Sequence, residues 1–263
     1  MKNISQEQKK ELFPENLILL GYRGSISHNM YLPNTDPDSI DDIDLMGVYL
    51  APVDYYVGIK KSKEVIEKVI DPWDIVSYEF KKFIFLLLKG NPNVLSLLWL
   101  KENFYIERNG IYRYGASLLE SRNLFVSKEV YHSFTGYAYG QLKKMTSHTK
   151  EGYMGQKRKA LVDKYGYDCK NAAHCIRLLK MGIEFLVDGE LRVFREDAPY
   201  LLDIKRGKWK LEEVKDEAKR LFALADEAYV KSPLPSQPYY IQVNKLVKSI
   251  LIDYINEEKE YER

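Results

Sequence analysis

The chain has 263 residues, is 45% hydrophobic, and sets 40 Lys and Arg against 38 Asp and Glu, a formal net charge of +2. That near balance excludes a globally basic polynucleotide binder, so nucleic-acid contact would have to come from local clusters. Two cysteines, Cys169 and Cys175, are too few for a disulfide scaffold, and the length is close to that at which one hydrophobic core divides, so two lobes are expected.

In chain order, polar and charged residues run through Glu11, with a helix expected near the start and none of the apolar segment or small-residue cleavage site of a secretory signal. The longest apolar run, Phe83 to Leu88, is far too short to cross a bilayer. A cytoplasmic protein without membrane contact is the expectation. Strands are predicted at 16–23, 43–50, 64–70 and 74–78, and helices at 79–89, 93–100, 110–121 and 127–147. Further helices follow at 157–187, at 211–230 and from Tyr239 onward. Asp188-Gly189 should end the first of these, Lys205-Arg206-Gly207 separates it from the next, and the proline-rich run from Ser232 to Pro238 acts as a stiff connector. The fold class is α+β: a mixed sheet with helices over 1–125, then a mainly helical lobe over 126–263.

The most informative segment lies between the first two strands. Gly24-Ser25 follows the buried run Asn16 to Tyr22, where small residues let a phosphate approach backbone N–H groups. Asp42 and Asp44 then lead into the second strand, and alternate strand residues share a face. Two like charges on one face are costly to bury without a cation, and magnesium prefers hard carboxylate oxygens beside phosphate. Taken alone, an Asp-x-Asp pair is also compatible with a plain surface loop. Asp36, Asp38 and Asp41 resemble turn residues beside Pro33 and Pro37. An EF-hand loop is disfavoured, because Ile40 and Asp41 stand where a side-chain ligand and a glycine are required.

In the second half, Lys170, His174 and Arg177 are spaced by four and three, so a helix stacks them on one stripe opposite Ala172, Cys175, Ile176 and Leu179. The stripe reads either as a solvated face or as a binding site for the phosphates of a nucleotide. Lys143-Lys144 and Lys157-Arg158-Lys159, near Tyr137, Tyr139 and Tyr153, suit either an exposed helix surface or a polynucleotide track. Zinc at Cys169, His174 and Cys175 is disfavoured, since adjacent helix residues diverge by about 100°.

Gly24-Ser25 followed by Asp42-Ile43-Asp44-Leu45 resembles the signature of the DNA polymerase beta superfamily of nucleotidyltransferases. The continuation Gly47-Val48-Tyr49-Leu50-Ala51-Pro52 narrows the likeness to the predicted nucleotidyltransferases associated with RNA ligases in RNA-repair operons and phages. Lys89 to Leu95, Tyr165 to Asp168 and Leu178 to Gly182 are similar to the same family, so the resemblance extends over nearly the whole chain. It departs in the long Ser25–Asp42 segment, where an inserted turn is expected around Pro33 to Ser39, and in Asn29, which replaces a glycine and tolerates a left-handed backbone.

The resemblance implies a third carboxylate on a later strand. Asp74 is the choice and Glu79 the rival, with a helix N-terminal role as Glu79's alternative. It further implies that Asp42, Asp44 and Asp74 hold two Mg²⁺ or Mn²⁺ ions, while Gly24, Ser25, Lys170, His174 and Arg177 bind the NTP. A nucleoside monophosphate would pass to an acceptor hydroxyl, by resemblance an RNA end, with an RNA ligase or other repair protein as partner. A noncatalytic RNA-binding accessory role and the modification of a protein hydroxyl stand as alternatives.

Overall fold

The computed structural model describes residues 11–33, 35–37, 39–106, 113–146 and 156–261. The helix expected near the start falls largely on residues 1–10, which, with Asp38 and Tyr153, lie outside these residues; Glu11 and Leu12 are helical.

The first half builds a four-stranded mixed sheet in the order β1-β2-β4-β3, from β1 (Leu17–Tyr22), β2 (Ile43–Tyr49), β3 (Val65–Ile70) and β4 (Trp73–Glu79). β1 and β2 pair antiparallel, β2 and β4 parallel, and β3 and β4 antiparallel. Every residue of β1 is buried, as its unbroken apolar sequence requires, whereas edge strand β3 carries the adjacent charges Glu67 and Lys68 between two apolar pairs and leaves Val69 exposed. All four predicted strands are present within two residues of their expected ends.

Among the described residues the helices are α1 (Gly24–Ser27), α2 (Val53–Val57), α3 (Phe80–Leu88), α4 (Pro92–Leu98), α5 (Arg113–Glu120), α6 (Glu129–Thr146), α7 (Gln156–Tyr165), α8 (Cys169–Asp188), α9 (Ala198–Lys205), α10 (Leu211–Lys231) and α11 (Tyr240–Tyr261). The fold is thus α+β, with the sheet in the first half and helices dominating the second. Buried side chains from Ile18 to Tyr254 form one continuous apolar cluster that spans residue 125. None of these helices is long and apolar enough to cross a membrane.

One predicted helix is corrected. The stretch 157–187 is two helices, because Gly166 adopts φ 78° and Asp168 caps the second, accepting from the Asn171 N–H at 3.1 Å. Arg158 closes the corner with bonds of 3.0 and 2.7 Å to Asp168 Oδ2. That engagement removes Arg158 from the expected basic track. The resulting α8 packs between α6, α9 and α10, and Gly189, at φ 75°, ends it where the sequence predicted.

Candidate active site

The site forms where β1 and β2 end beside α8. Arg23 leaves β1 with its N–H donating to the Asp44 carbonyl at 3.0 Å, and the chain then turns through Gly24 at φ 64°. A side chain there would be doubly excluded. The left-handed backbone disfavours it, and an added Cβ would lie 2.1 Å from Asp44 Oδ2. Gly24 therefore lets the second aspartate of the motif lie flat against the turn. Further on, Asn29 takes φ 58°, the left-handed conformation expected of it. The expected turn follows Pro33, with the Asp36 N–H donating to the Pro33 carbonyl and the Ser39 N–H to that of Asp36.

Asp44 and Asp74 are register partners on neighbouring parallel strands. Arg23 stands between them, 3.0 Å from Asp74 Oδ1 and 3.6 Å from Asp44 Oδ1. Asp44 is nevertheless pushed up to about 6, first by burial and then by the Asp74 and Asp42 charges, against the opposing pull of Arg23 and Lys170. Asp42 itself is exposed, just ahead of β2. Glu79 sits five residues beyond Asp74, at the other end of β4. It is fully buried, accepting from the Lys82 N–H at 2.9 Å and the Tyr56 hydroxyl at 2.7 Å. That is the helix-capping role named as its alternative.

A cleft of about 150 Å³ opens beside Asp44 and is lined by Gly24 and Ser25 on one side and by Lys170, His174 and Arg177 of α8 on the other. The phosphate-binding candidates drawn from the two halves of the chain thus share one cavity. Two of their polar atoms, Ser25 Oγ and His174 Nε2, are buried without a hydrogen-bond partner among the described residues. Burial, followed by the Lys170 charge, lowers His174 to about 4, so its ring is neutral in the cleft.

Arg177 departs from the solvated-face alternative. It is only 7% exposed, and burial followed by the Arg195 charge lowers its guanidinium to about 9. Among the described residues it has no carboxylate partner. A buried, unpaired guanidinium is costly unless an anion arrives to meet it.

Asp41 is a second correction. It is buried rather than a surface turn residue: its Oδ2 accepts from the Leu32 N–H at 3.0 Å and from Lys205, and Lys170 Nζ lies 3.6 Å from Oδ1. Lys205 Nζ also donates to the Met30 carbonyl at 3.0 Å. This pairing ties α9 to the loop before β2 and holds Lys170 at the cleft. His28 Nδ1, 2.8 Å from the Val193 carbonyl, fixes the floor. Arg23, His28, Asp41 and Lys205 were missed in the sequence. Only Asp41 carried a signal, through its place beside Asp42.

The chemistry of the donors suits a hard divalent cation. Two carboxylates side by side on adjacent strands, one with a raised proton affinity, are short of positive charge that a single shared guanidinium supplies. Among the described residues, no three His, Cys, Asp or Glu side chains form a ready-made metal cluster. Both cysteines are buried free thiols, and burial pushes Cys175 up to about 12, which fits neither a thiolate nor zinc.

A family model described as RNA repair pathway DNA polymerase beta family matches residues 32–228. The chain belongs to that family. The match takes in Asp42, Asp44, Asp74 and the α8 stripe, and begins after Gly24-Ser25. An uncharacterised protein of Methanocaldococcus jannaschii is similar, at 27% identity over 94% of this chain and 100% of that protein. A crystal structure of a nucleotidyltransferase-like protein from Exiguobacterium sibiricum aligns with 82% of this chain and 69% of its own, at 10% identity and a TM-score of 0.27.

Proposed function

We propose that this chain is a metal-dependent nucleotidyltransferase that moves a nucleoside monophosphate from an NTP to an acceptor hydroxyl, an RNA end in the first instance, and releases pyrophosphate. One observation carries the reading: the Gly24-Ser25 turn, the Asp44 carboxylate and the Lys170–His174–Arg177 stripe line a single cleft that contains buried, unpartnered polar groups. These groups match a polyphosphate. Arg177 offers paired N–H donors, Lys170 an ammonium that Asp41 holds at the cleft, and Ser25 Oγ and His174 Nε2 two further donors.

The triphosphate would lie along α8, with its α-phosphorus toward Asp44. The acceptor oxygen then bonds to that phosphorus, losing its proton to the Asp44–Asp74 carboxylate pair, and the bond to the bridging oxygen breaks. Lys170 and Arg177 face the negative charge that gathers on the departing pyrophosphate. Divalent ions, held by Asp42, Asp44 and Asp74, would supply charge neutralisation at the attacking and leaving oxygens. By the same family reading, an RNA ligase or other repair protein is the proposed partner.

The decisive experiment incubates the chain with each α-phosphate-labelled NTP, Mg²⁺ or Mn²⁺, and separate RNA and protein pools. Label entering RNA, and lost with Asp44→Asn, supports the reading. Label entering only protein would move the acceptor to a protein hydroxyl. Arg23 favours a second reading, because it already supplies part of the counter-charge that a metal would bring to Asp44 and Asp74. A noncatalytic nucleotide-binding accessory would bind NTP in the same cleft and incorporate label nowhere.

A further inference from the structure

A second and larger cavity, about 550 Å³, lies next to the cleft and is lined by Trp99, Lys101, Lys180, Glu184, Phe194 and Arg195 among others. No lining residue is common to both, but two elements bridge them. The segment after α8 contributes Val193, whose carbonyl lies 2.8 Å from His28 Nδ1, and Arg195, whose carbonyl accepts from Asn29 Nδ2 at 3.2 Å. Helix α8 also runs from one to the other, since Lys180 and Glu184 continue the 3–4 spacing of Lys170, His174 and Arg177. Ten residues separate His174 from Glu184, about 15 Å along the helix axis. That span is compatible with one nucleotide, or a few linked ones.

The charged part of the cavity's lining is already satisfied. Arg195 donates to both Glu184 oxygens at 2.6 and 2.9 Å and to Asp197 Oδ1 at 2.7 Å, while Lys180 lies 2.9 Å from Asp197 Oδ2. What remains unsatisfied is of another kind. Trp99 is 8% exposed and its Nε1 is a buried donor with no partner among the described residues. Phe194 stacks one face on Phe104, with centroids 6.0 Å apart, and carries the Lys101 ammonium 3.4 Å from its ring centroid. Lys101 is exposed and has no carboxylate partner among the described residues. An aromatic face, an orphan N–H and a mobile cation describe a flat polar ring joined to an anion. An exposed lysine on a phenyl ring is a weaker contact than a stacked base, so a base would displace it and leave its charge free for a phosphate.

We propose that this cavity is a nucleobase subsite, in which Phe194 stacks on the ring, Trp99 Nε1 donates to one of its acceptor atoms, and Lys101 pairs with the attached phosphate. The proposal rests on the nucleotide-transfer reading of the neighbouring cleft and extends it. The base has two sources, the donor NTP or the end of the acceptor strand, and one binding experiment separates them.

Calorimetric titrations of the full chain would compare NTPs, a short single-stranded RNA and inorganic tripolyphosphate, which has no base. The variants are Trp99→Phe, which keeps the ring and removes the donor, and Phe194→Leu. Weakening of about tenfold for one ligand class, with tripolyphosphate binding unchanged, supports the subsite. Loss with NTP identifies the donor base, and loss with RNA the acceptor base. Unchanged affinity for both ligand classes in both variants overturns the proposal, as does a parallel loss of tripolyphosphate, which would mark the two rings as structural. Failure of tripolyphosphate to bind the unaltered chain would instead remove the cleft reading, and the RNA titration would still decide the subsite.

Discussion

The two walls of the cleft solve opposite electrostatic problems. On the sheet side, Asp44 and Asp74 bring like charges together, and a single guanidinium from the end of β1 offsets part of that charge. On the helix side, the Arg177 side chain and His174 Nε2 are buried with no carboxylate partner among the described residues. The first wall lacks cationic charge, whereas the second lacks an anion. The anion that would relieve α8 is also the group whose reacting phosphorus must reach the aspartates, so each wall gains from the same occupant.

Removing a carboxylate should break that complementarity most completely. Asp44→Asn is expected to lower label transfer by about a thousandfold or more, because it deletes a group that positions charge at the reacting atoms. The same change should raise the unfolding temperature at pH 7. A carboxyl lifted to about 6 by burial and by neighbouring carboxylates contributes least to stability when ionised, so a neutral amide should relieve the fold. Unaltered transfer by a folded Asp44→Asn protein would overturn the assignment.

Arg177→Met tests the other wall. Tripolyphosphate affinity should fall by roughly 10- to 100-fold, the range of a lost charge-assisted hydrogen bond. Stability should meanwhile stay level or rise, since an unpaired buried charge gives way to an apolar side chain of similar length. A Met variant that binds tripolyphosphate normally would reduce Arg177 to a packing role.

The contrast between the walls also explains what could be read in advance. Strand positions, the Gly24 turn and the Asp42–Asp44 spacing are local properties, set by alternation and by backbone that only certain residues tolerate. The 170–174–177 stripe was legible as a stripe, because helical spacing is local too. Its burial was not, since that depends on α9 and on the loop before β2 closing over it. Asp41 shows the same limit. It sits in a loop of turn-forming residues, yet Lys205, far away in sequence, draws it inside. The split of 157–187 had a visible cause in Gly166 and Asp168, whose capping signals compete with an otherwise continuous helical pattern.

The titration of His174 sharpens the comparison further. Its folded value of about 4 lies below the ordinary 6.5, so the native state binds fewer protons than the unfolded chain. Its stabilising contribution is therefore full above about pH 6.5, fades as pH falls through that value, and is gone near pH 4, a difference of about 3 kcal/mol at most. Chemical denaturation followed between pH 7 and 4 should show that loss, and His174→Gln should flatten it. Bound tripolyphosphate should raise the ring's value, which NMR of the imidazole would follow. An imidazole titrating near 6.5 without ligand would mean that the cleft is more open to water than its geometry indicates.

The third carboxylate allows the comparison to be made within one strand, because its two candidates occupy opposite ends of β4. Glu79 uses both oxygens internally, on the Lys82 N–H and the Tyr56 hydroxyl, and is fully buried. Asp74 lies beside Asp44 and is held only by Arg23, which a stronger cation could replace. Glu79→Gln should therefore cost about 1 kcal/mol of stability through the weakened cap and leave transfer per folded molecule unchanged, while Asp74→Asn should do the reverse. Thermal unfolding together with label transfer on both variants tests this directly. If folded Glu79→Gln lost transfer and Asp74→Asn kept it, β4 would have to shift by most of its length to bring Glu79 to Asp44, and the parallel register that pairs Asp44 with Asp74 would have no part in the chemistry.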